Sequence, residues 1–255
     1  MYDLEDVKKR SFVAIIMYLI FYLVVGTIGM ALIVKCYETD SYSFKTIVNA
    51  MSSVSGDYSL DKIAAACNTW SMAISYIPVA ILLCLVLHKD LIEDFSKLKE
   101  NKVFNIILAI VGGLLLFIII FLIGKIIEKI IGNNSVNEEV LESVFKYKKY
   151  GVIMLIITSI FGPIVEELVY RKSIFNIFND KPKWVPILIS IIAFALPHII
   201  STTDVDVLEF LLISIPYFVS GAILAFAYEY SNRNVYVTMI MHFINNLITC
   251  IILLA

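Results

Sequence analysis

The sequence has few charged residues: Asp, Glu, Lys and Arg make up 16% of its 255 residues, whereas 60% are hydrophobic. With a mean hydropathy of +0.89, the chain has too little polar surface to cover a soluble globule of this size. The small net charge of -2 also argues against nucleic acid as a partner. The composition therefore predicts a polytopic membrane protein.

Glycine and proline are also scarce, with 10 and 6 residues, and the chain shows no low-complexity tract and no internal repeat. The lack of a repeat argues against a transporter that is built from inverted halves. A basic cluster at residues 8–10 precedes an apolar stretch that is too long for the core of a signal peptide and has no clear cleavage site. We interpret this stretch as a retained first span.

Apolar stretches of about 20 residues, the length that crosses a bilayer, recur along the chain. Each is expected to be helical, because the hydrocarbon offers no water to the backbone. The sequence thus predicts an all-α membrane bundle of about seven transmembrane helices, at 12–34, 70–88, 103–124, 151–170, 184–200, 208–228 and 235–254. The polar loop 35–69 is expected to hold a short helix around 59–67, and 125–150 to be an interfacial amphipathic segment.

Lys and Arg are more frequent in the segments that would share a membrane side with the N-terminus, which predicts a cytoplasmic N-terminus. Residues 1–150 are expected to form an N-terminal region of three spans, and residues 151–255 a second region of the same membrane domain. Cys36 and Cys67 lie in one predicted loop, so they either pair in an oxidising compartment or remain free thiols.

Few ionisable or strongly polar residues remain inside the predicted spans, and all of them fall in spans four, five and seven. They are Glu166, Glu167, His198, His242, Asn245 and Asn246. A charged side chain in a membrane helix costs about 2.5 to 3.5 kcal/mol, so Glu166 and Glu167 indicate a functional site. The alternative is that both are solvated charges at the end of the helix. Because polar groups in lipid pair with one another, we expect these spans to enclose one polar pocket.

Residues four apart share a helix face, which separates the two glutamates. Arg171 is placed to neutralise Glu167, which leaves Glu166 to face His198. Tyr170 shares the face of Glu166 and is expected to orient its carboxylate. Just upstream, Gly162 and Pro163 are able to open the hydrogen bonding of the helix.

The same spacing puts His242 and Asn246 on one face, with Asn245 on its shoulder. A desolvated glutamate suits a general base that activates water, and the two hydrogen-bond donors suit an oxyanion. These are the parts of a peptide-bond hydrolase that has no covalent nucleophile. As an alternative, Glu166, His198 and His242 form a ligand set that zinc accepts, although no two of them have the HExxH spacing.

Three motifs then follow one another along the chain: EExxxR from Glu166 to Arg171, FxxxH from Phe194 to His198, and HxxxN from His242 to Asn246. Together they resemble the CPBP family of CAAX proteases and bacteriocin-processing enzymes, also called the Abi family. The resemblance covers residues 150–250. The sequence departs from many members of the family at Lys172, where they have Gly.

The resemblance implies a glutamate-dependent intramembrane endopeptidase without a cofactor, in which Glu166 activates water with His198 as its partner. It implies that His242 and Asn246 hold the oxyanion, and that Phe194 packs one turn before His198. The implied substrate is a peptide or a lipid-modified protein at a bacterial plasma membrane. Two other readings stay open: a non-catalytic immunity protein that binds a peptide, and an ion or proton carrier.

The lengths of the predicted helices constrain where Glu166 and His198 can meet. At about 1.5 Å per residue, Glu166 lies about 8 Å from Arg171, whereas His198 lies about 21 Å along its own helix from Trp184. Straight spans that end at one surface would keep Glu166 and His198 apart. We therefore predict that 172–183 dips into the bilayer as an interfacial or re-entrant piece, and that Glu166 and His198 lie within about 10 Å, the reach of one shared water.

Overall fold

The computed structural model of the protein describes residues 4–52, 55–131, 136–200 and 206–255, including every side chain in these ranges except those of 136–139. These residues form helices joined by turns. In chain order the helices are α1 Leu4–Tyr37, α2 Phe44–Ser52, α3 Tyr58–Val86, α4 His88–Glu100, α5 Lys102–Ile131, α6 Val136–Phe145, α7 Lys148–Ile177, α8 Trp184–Ile199, α9 Val207–Tyr230 and α10 Val235–Leu254.

Six of these helices are long and apolar enough to cross a membrane, namely α1, α3, α5, α7, α9 and α10. This confirms the predicted all-α polytopic bundle. The predicted span 184–200 is instead the shorter apolar helix α8, which has 16 residues. At about 1.5 Å per residue it measures about 24 Å, less than the about 30 Å of a bilayer core. The expected seven spans are therefore six long helices and one short one.

The predicted loop 35–69 is largely helical. It carries α2, and residues 59–67 are helical as predicted, although they are the first turns of the long helix α3 and not a short helix of their own. Asp57 begins α3 by accepting a hydrogen bond from the Ser59 backbone N–H at 2.8 Å. Cys36 is an exposed free thiol and Cys67 a buried one.

The predicted interfacial segment 125–150 is divided among three helices in the structure. It supplies the end of α5, all of α6 and the start of α7, and its residues 132–135 lie outside the described residues. The single amphipathic segment is thus replaced by two long helices and a short connecting helix.

Helix α7 contains two wider, π-helical stretches, Ile157–Phe161 and Glu167–Ser173. The helix then continues to Ile177, so residues 172–177 belong to α7 and do not form a separate segment, and the predicted interfacial or re-entrant position of 172–183 stays a prediction. Glu166 consequently lies about 16 Å from the end of α7 instead of about 8 Å. This extension brings it level with His198, which answers the length problem without a separate segment.

Successive long helices run in opposite directions, except that α7 and α9, which the short α8 separates, run parallel, and the bundle has two ends. The proximal face carries the start of α1, helix α4 and the turns at 178–183 and 231–234, and ion pairs such as Lys8–Asp180 at 3.0 Å tie it together. The distal face carries α2, α6 and the end of α10. The main hydrophobic core lies in the proximal half, where it includes Leu83, Phe175 and Tyr228.

Candidate active site

Glu166 lies at the centre of the polar site and is 7% exposed. Its Oε2 atom lies 3.9 Å from Nε2 of His198 and 3.9 Å from Nε2 of His242. The Tyr76 hydroxyl donates a hydrogen bond to Oε1 at 3.4 Å. The predicted proximity of Glu166 and His198 is confirmed, and spans four, five and seven do enclose one pocket.

Glu167 and Arg171 form the predicted ion pair, with Arg171 Nη1 3.0 Å from Glu167 Oε1 and both side chains fully buried. The second nitrogen, Nη2, donates to the backbone carbonyl of Gly221 in α9 at 3.3 Å. The bundle thus buries this charge pair with charge-assisted hydrogen bonds, as a low-dielectric interior requires.

Glu167 has a second partner that the spacing did not predict. His242 Nδ1 lies 3.0 Å from the same Oε1 atom. An ionised carboxylate accepts but does not donate, so Nδ1 carries the proton. Glu167 therefore does more than pair with Arg171, because it also fixes the ring so that Nε2 points at Glu166.

Asn246 shares the His242 face as predicted, and Thr158 fixes its orientation. Its Nδ2 donates to the Thr158 carbonyl at 2.9 Å, within the first π-helical stretch of α7. Asn245 donates to Asn246 Oδ1 at 2.9 Å. An amide nitrogen has two N–H groups, so Asn246 keeps one for a substrate.

Aromatic rings surround the site, and Phe194 packs against His198 as predicted, with ring centroids 5.2 Å apart. The same ring lies 5.8 Å from that of His242 and 4.5 Å from the Arg171 guanidinium. On its other side, His198 stacks on Tyr217 at 4.8 Å with an interplanar angle of 4°. Two aromatic rings therefore set the plane of the His198 imidazole.

The expected contact of Tyr170 with Glu166 is wrong. The Tyr170 hydroxyl lies 2.6 Å from the Tyr18 hydroxyl of α1, and the hydroxyl that reaches Glu166 belongs to Tyr76. The first spans had been taken to lack polar groups because tyrosine counts as hydrophobic. A tyrosine inside a span is the one sequence signal that marks these residues, since its hydroxyl needs a partner when buried.

No group of three His, Cys, Asp or Glu residues within the described ranges is arranged to hold a metal ion. The zinc alternative with Glu166, His198 and His242 stays a prediction for a chelator to test. As arranged, the site offers a carboxylate, two imidazoles and an amide around one point.

Replacing Tyr76 with Phe should lower the activity of the site about tenfold, the effect of one lost hydrogen bond to a buried carboxylate. The ring and its packing are preserved, so the melting temperature in detergent should change little. Tyr147→Phe is the matched control, since its hydroxyl binds the Tyr58 carbonyl at 3.1 Å on the distal face. Equal rates for wild type and Tyr76→Phe would contradict the assigned contact.

Asp94 of α4 connects two helices of the site on the proximal face. Its Oδ1 accepts from Lys172 Nζ at 2.7 Å and its Oδ2 from the Val235 backbone N–H, at the start of α10, at 3.1 Å. Burial raises the pKa of Asp94, and the charge of Lys172 opposes this shift. Asp94 thus fixes α7 and α10 relative to each other, and it explains why Lys is accepted at position 172.

Asp94→Asn should lower the free energy of unfolding by about 2 kcal/mol, because Lys172 would keep its buried charge without its partner. The double variant Asp94→Asn with Lys172→Met should recover part of that loss in chemical or thermal unfolding. Lys97, 3.7 Å from Asp94 and half-buried, serves as the control, since Lys97→Met should cost under about 1 kcal/mol. If the stability losses of the two substitutions simply add in the double variant, Asp94 and Lys172 are not coupled.

The fold and the site define a class: a polytopic helical membrane protein with a carboxylate and imidazole centre buried between its helices. Residues 148–248 match the family described as Type II CAAX prenyl endopeptidase Rce1-like. This match confirms the resemblance that the three motifs indicate.

Among curated proteins, an uncharacterized protein of Mycoplasma capricolum subsp. capricolum is 27% identical over 165 residues. The similarity covers 62% of this chain and 46% of that protein, so the chain spans about half the length of the curated relative. No solved structure matches the chain.

Proposed function

We propose that the protein is an intramembrane endopeptidase of the CAAX-protease type, in which Glu166 activates water. The observation that carries this proposal is the convergence of His198 Nε2 and His242 Nε2 on one oxygen of a buried Glu166, each at 3.9 Å. A family match over residues 148–248 supports a protease in general. A carboxylate beside two imidazoles in a desolvated site suits proton transfer to and from water.

In the proposed reaction, Glu166 takes a proton from water while the oxygen attacks the carbonyl carbon of the scissile peptide bond. His198 shares the water and orients it, because Tyr217 and Phe194 fix its ring. The resulting tetrahedral intermediate carries an oxyanion. Glu166 then returns the proton to the leaving nitrogen, the C–N bond breaks, and the products are a carboxylate and an amine.

His242 and Asn246 are proposed to stabilise the oxyanion with hydrogen bonds. Glu167 occupies Nδ1 of His242, so donation from Nε2 requires the imidazolium form of the ring. Asn246 donates from the N–H that does not bind the Thr158 carbonyl.

The proposed location is a bacterial plasma membrane, with the N-terminus in the cytoplasm and a peptide or lipid-modified protein as substrate. Mass spectrometry tests this proposal by comparing cells that carry the wild type with cells that carry Glu166→Gln. The peptide termini present in the membrane and in the medium are identified in both. We expect some peptide termini to appear only in cells with the wild type. These termini should still form when a chelator is present. Loss of these termini with the chelator would favour the zinc alternative, and identical termini in both cells would favour a non-catalytic peptide-binding protein.

A further inference from the structure

The cavity at Glu166 extends in one direction along the bundle. It has a volume of about 560 Å³, and its wall runs from Glu166 along α3 to Asn68 and onward to Met51 of α2 and Leu141 of α6. Each of these positions lies progressively further from the proximal face, because α3 begins at the distal face and α2 and α6 lie there. The cavity therefore occupies the distal half of the molecule.

The proximal end of the cavity is closed by side chains. Tyr18, Tyr170 and Phe194 form its floor, each at most 5% exposed, and the two tyrosine hydroxyls are 2.6 Å apart. Beyond this floor lie the main hydrophobic core and the buried Asp94–Lys172 ion pair. A substrate that came from the proximal face would have to break this packing.

The described wall of the cavity carries uncharged polar groups and little charge. Glu166 is its acidic residue, no Lys or Arg belongs to it, and hydroxyl and amide side chains such as those of Asn68, Ser71 and Asn245, together with tyrosines, supply its polar groups. A free terminal carboxylate or a charged side chain would find no opposite charge there beyond the groups at Glu166. Burial of an unpaired charge in such a place is unfavourable.

Two buried polar atoms on this wall lack hydrogen-bond partners among the described residues. They are Ser71 Oγ on α3 and Asn245 Oδ1 on α10. Buried polar atoms are nearly always paired in folded proteins, so such atoms need an explanation. Neither atom is accessible from the cavity in the free protein, so each side chain must turn toward a bound peptide before its hydroxyl or amide oxygen can meet the peptide's carbonyl and N–H groups.

We propose that the substrate is an uncharged, extended peptide segment that enters from the distal face and lies between α3 and α10, with Ser71 and Asn245 binding its backbone. This inference rests on the proposed function and adds the direction of entry and the substrate class. The scissile bond lies within the segment, because the wall offers no cation for a terminal carboxylate. The apolar side chains of the segment contact Met30, Met51 and Met72, which adapt to varied shapes.

The direction of entry is tested with a single cysteine in the cavity. Met72→Cys is made in full-length protein whose four native cysteines, Cys36, Cys67, Cys84 and Cys250, are replaced by Ser or Ala. The protein is reconstituted in sealed vesicles, and a membrane-impermeant maleimide is added to one side at a time. Asp40→Cys reports the distal side and Lys181→Cys the proximal side, since both positions are exposed. Ser220→Cys on the opposite wall gives a second reading if Met72→Cys does not fold.

We expect the cavity cysteine to react from the side that labels Asp40→Cys and not from the side that labels Lys181→Cys. Labelling from the proximal side, from both sides or from neither side would overturn the direction of entry.

The substrate class is tested by protection of the same cysteine in the Glu166→Gln background, where binding is measured without cleavage. The probe is a ten-residue peptide of Leu, Ala and Ser, acetylated and amidated at its ends, compared with the same peptide carrying a central Lys or Asp. The charged peptides should need about 100-fold higher concentrations for equal protection. Ser71→Ala should weaken protection by the neutral peptide and leave folding unchanged.

Equal protection by neutral and charged peptides, or none by either, would overturn the inference. These outcomes are independent of catalysis. Protection by the neutral peptide in a protein that never cleaves it would instead refute the proposed hydrolase and keep the binding site.

Discussion

Glu166→Gln is expected to lower peptide-bond cleavage by about 100- to 10,000-fold, the usual contribution of a general base. Gln has the shape of Glu and still accepts from Tyr76, but its amide takes no proton from water. The melting temperature in detergent should therefore change little. Turnover of a peptide substrate by purified protein in lipid, with the rate and the substrate affinity measured separately, checks the prediction.

Glu128→Gln is the matched control, because Glu128 is an exposed carboxylate on α5 that pairs with Lys125 at 2.6 Å. Its activity should equal that of the wild type. Substrate affinity should persist in Glu166→Gln, since the loss concerns the chemical step. Full turnover by Glu166→Gln would remove this residue from the mechanism, whatever the behaviour of the control.

Arg171→Met should lower the free energy of unfolding by about 3 to 5 kcal/mol, because it leaves the buried Glu167 carboxylate without its cation. Arg171 is fully buried, and its guanidinium contacts Glu167, the Gly221 carbonyl and the Phe194 ring. Loss of these contacts affects α7, α8 and α9 together. Unfolding in detergent, followed by the loss of helical signal, measures the effect.

The double variant Arg171→Met with Glu167→Gln should recover much of this stability, since no unpaired charge remains. Activity should stay low, because His242 loses the carboxylate that fixes its ring. For comparison, Lys125→Met removes one member of an exposed pair and should cost under about 1 kcal/mol. Equal destabilisation by Arg171→Met and Lys125→Met would contradict the buried ion pair.

Much of the fold follows from local composition. The spans α9 and α10 lie close to their predicted ranges, because runs of about 20 apolar residues have one stable arrangement in a bilayer. The differences from the predicted boundaries at these other two places have a common cause. Residues 59–67 and 172–177 are polar enough to look separate from the neighbouring apolar run, but each belongs to a long helix whose polar side chains find partners in the bundle, as Lys172 does with Asp94.

For the site, the sequence by itself determined which residues are polar within the spans and that they must meet, because an isolated polar group in lipid is costly. It also placed Arg171 on Glu167, since residues four apart on one helix share a face.

Only the tertiary structure decided the contacts between distant parts of the chain: Tyr76 on Glu166, His242 on Glu167, Thr158 on Asn246, and a cavity that leads to the distal face. These partners lie on different helices, and helical periodicity does not specify which faces of two helices meet. That choice depends on the packing of the whole bundle, with its short helix α8 and its buried ion pairs.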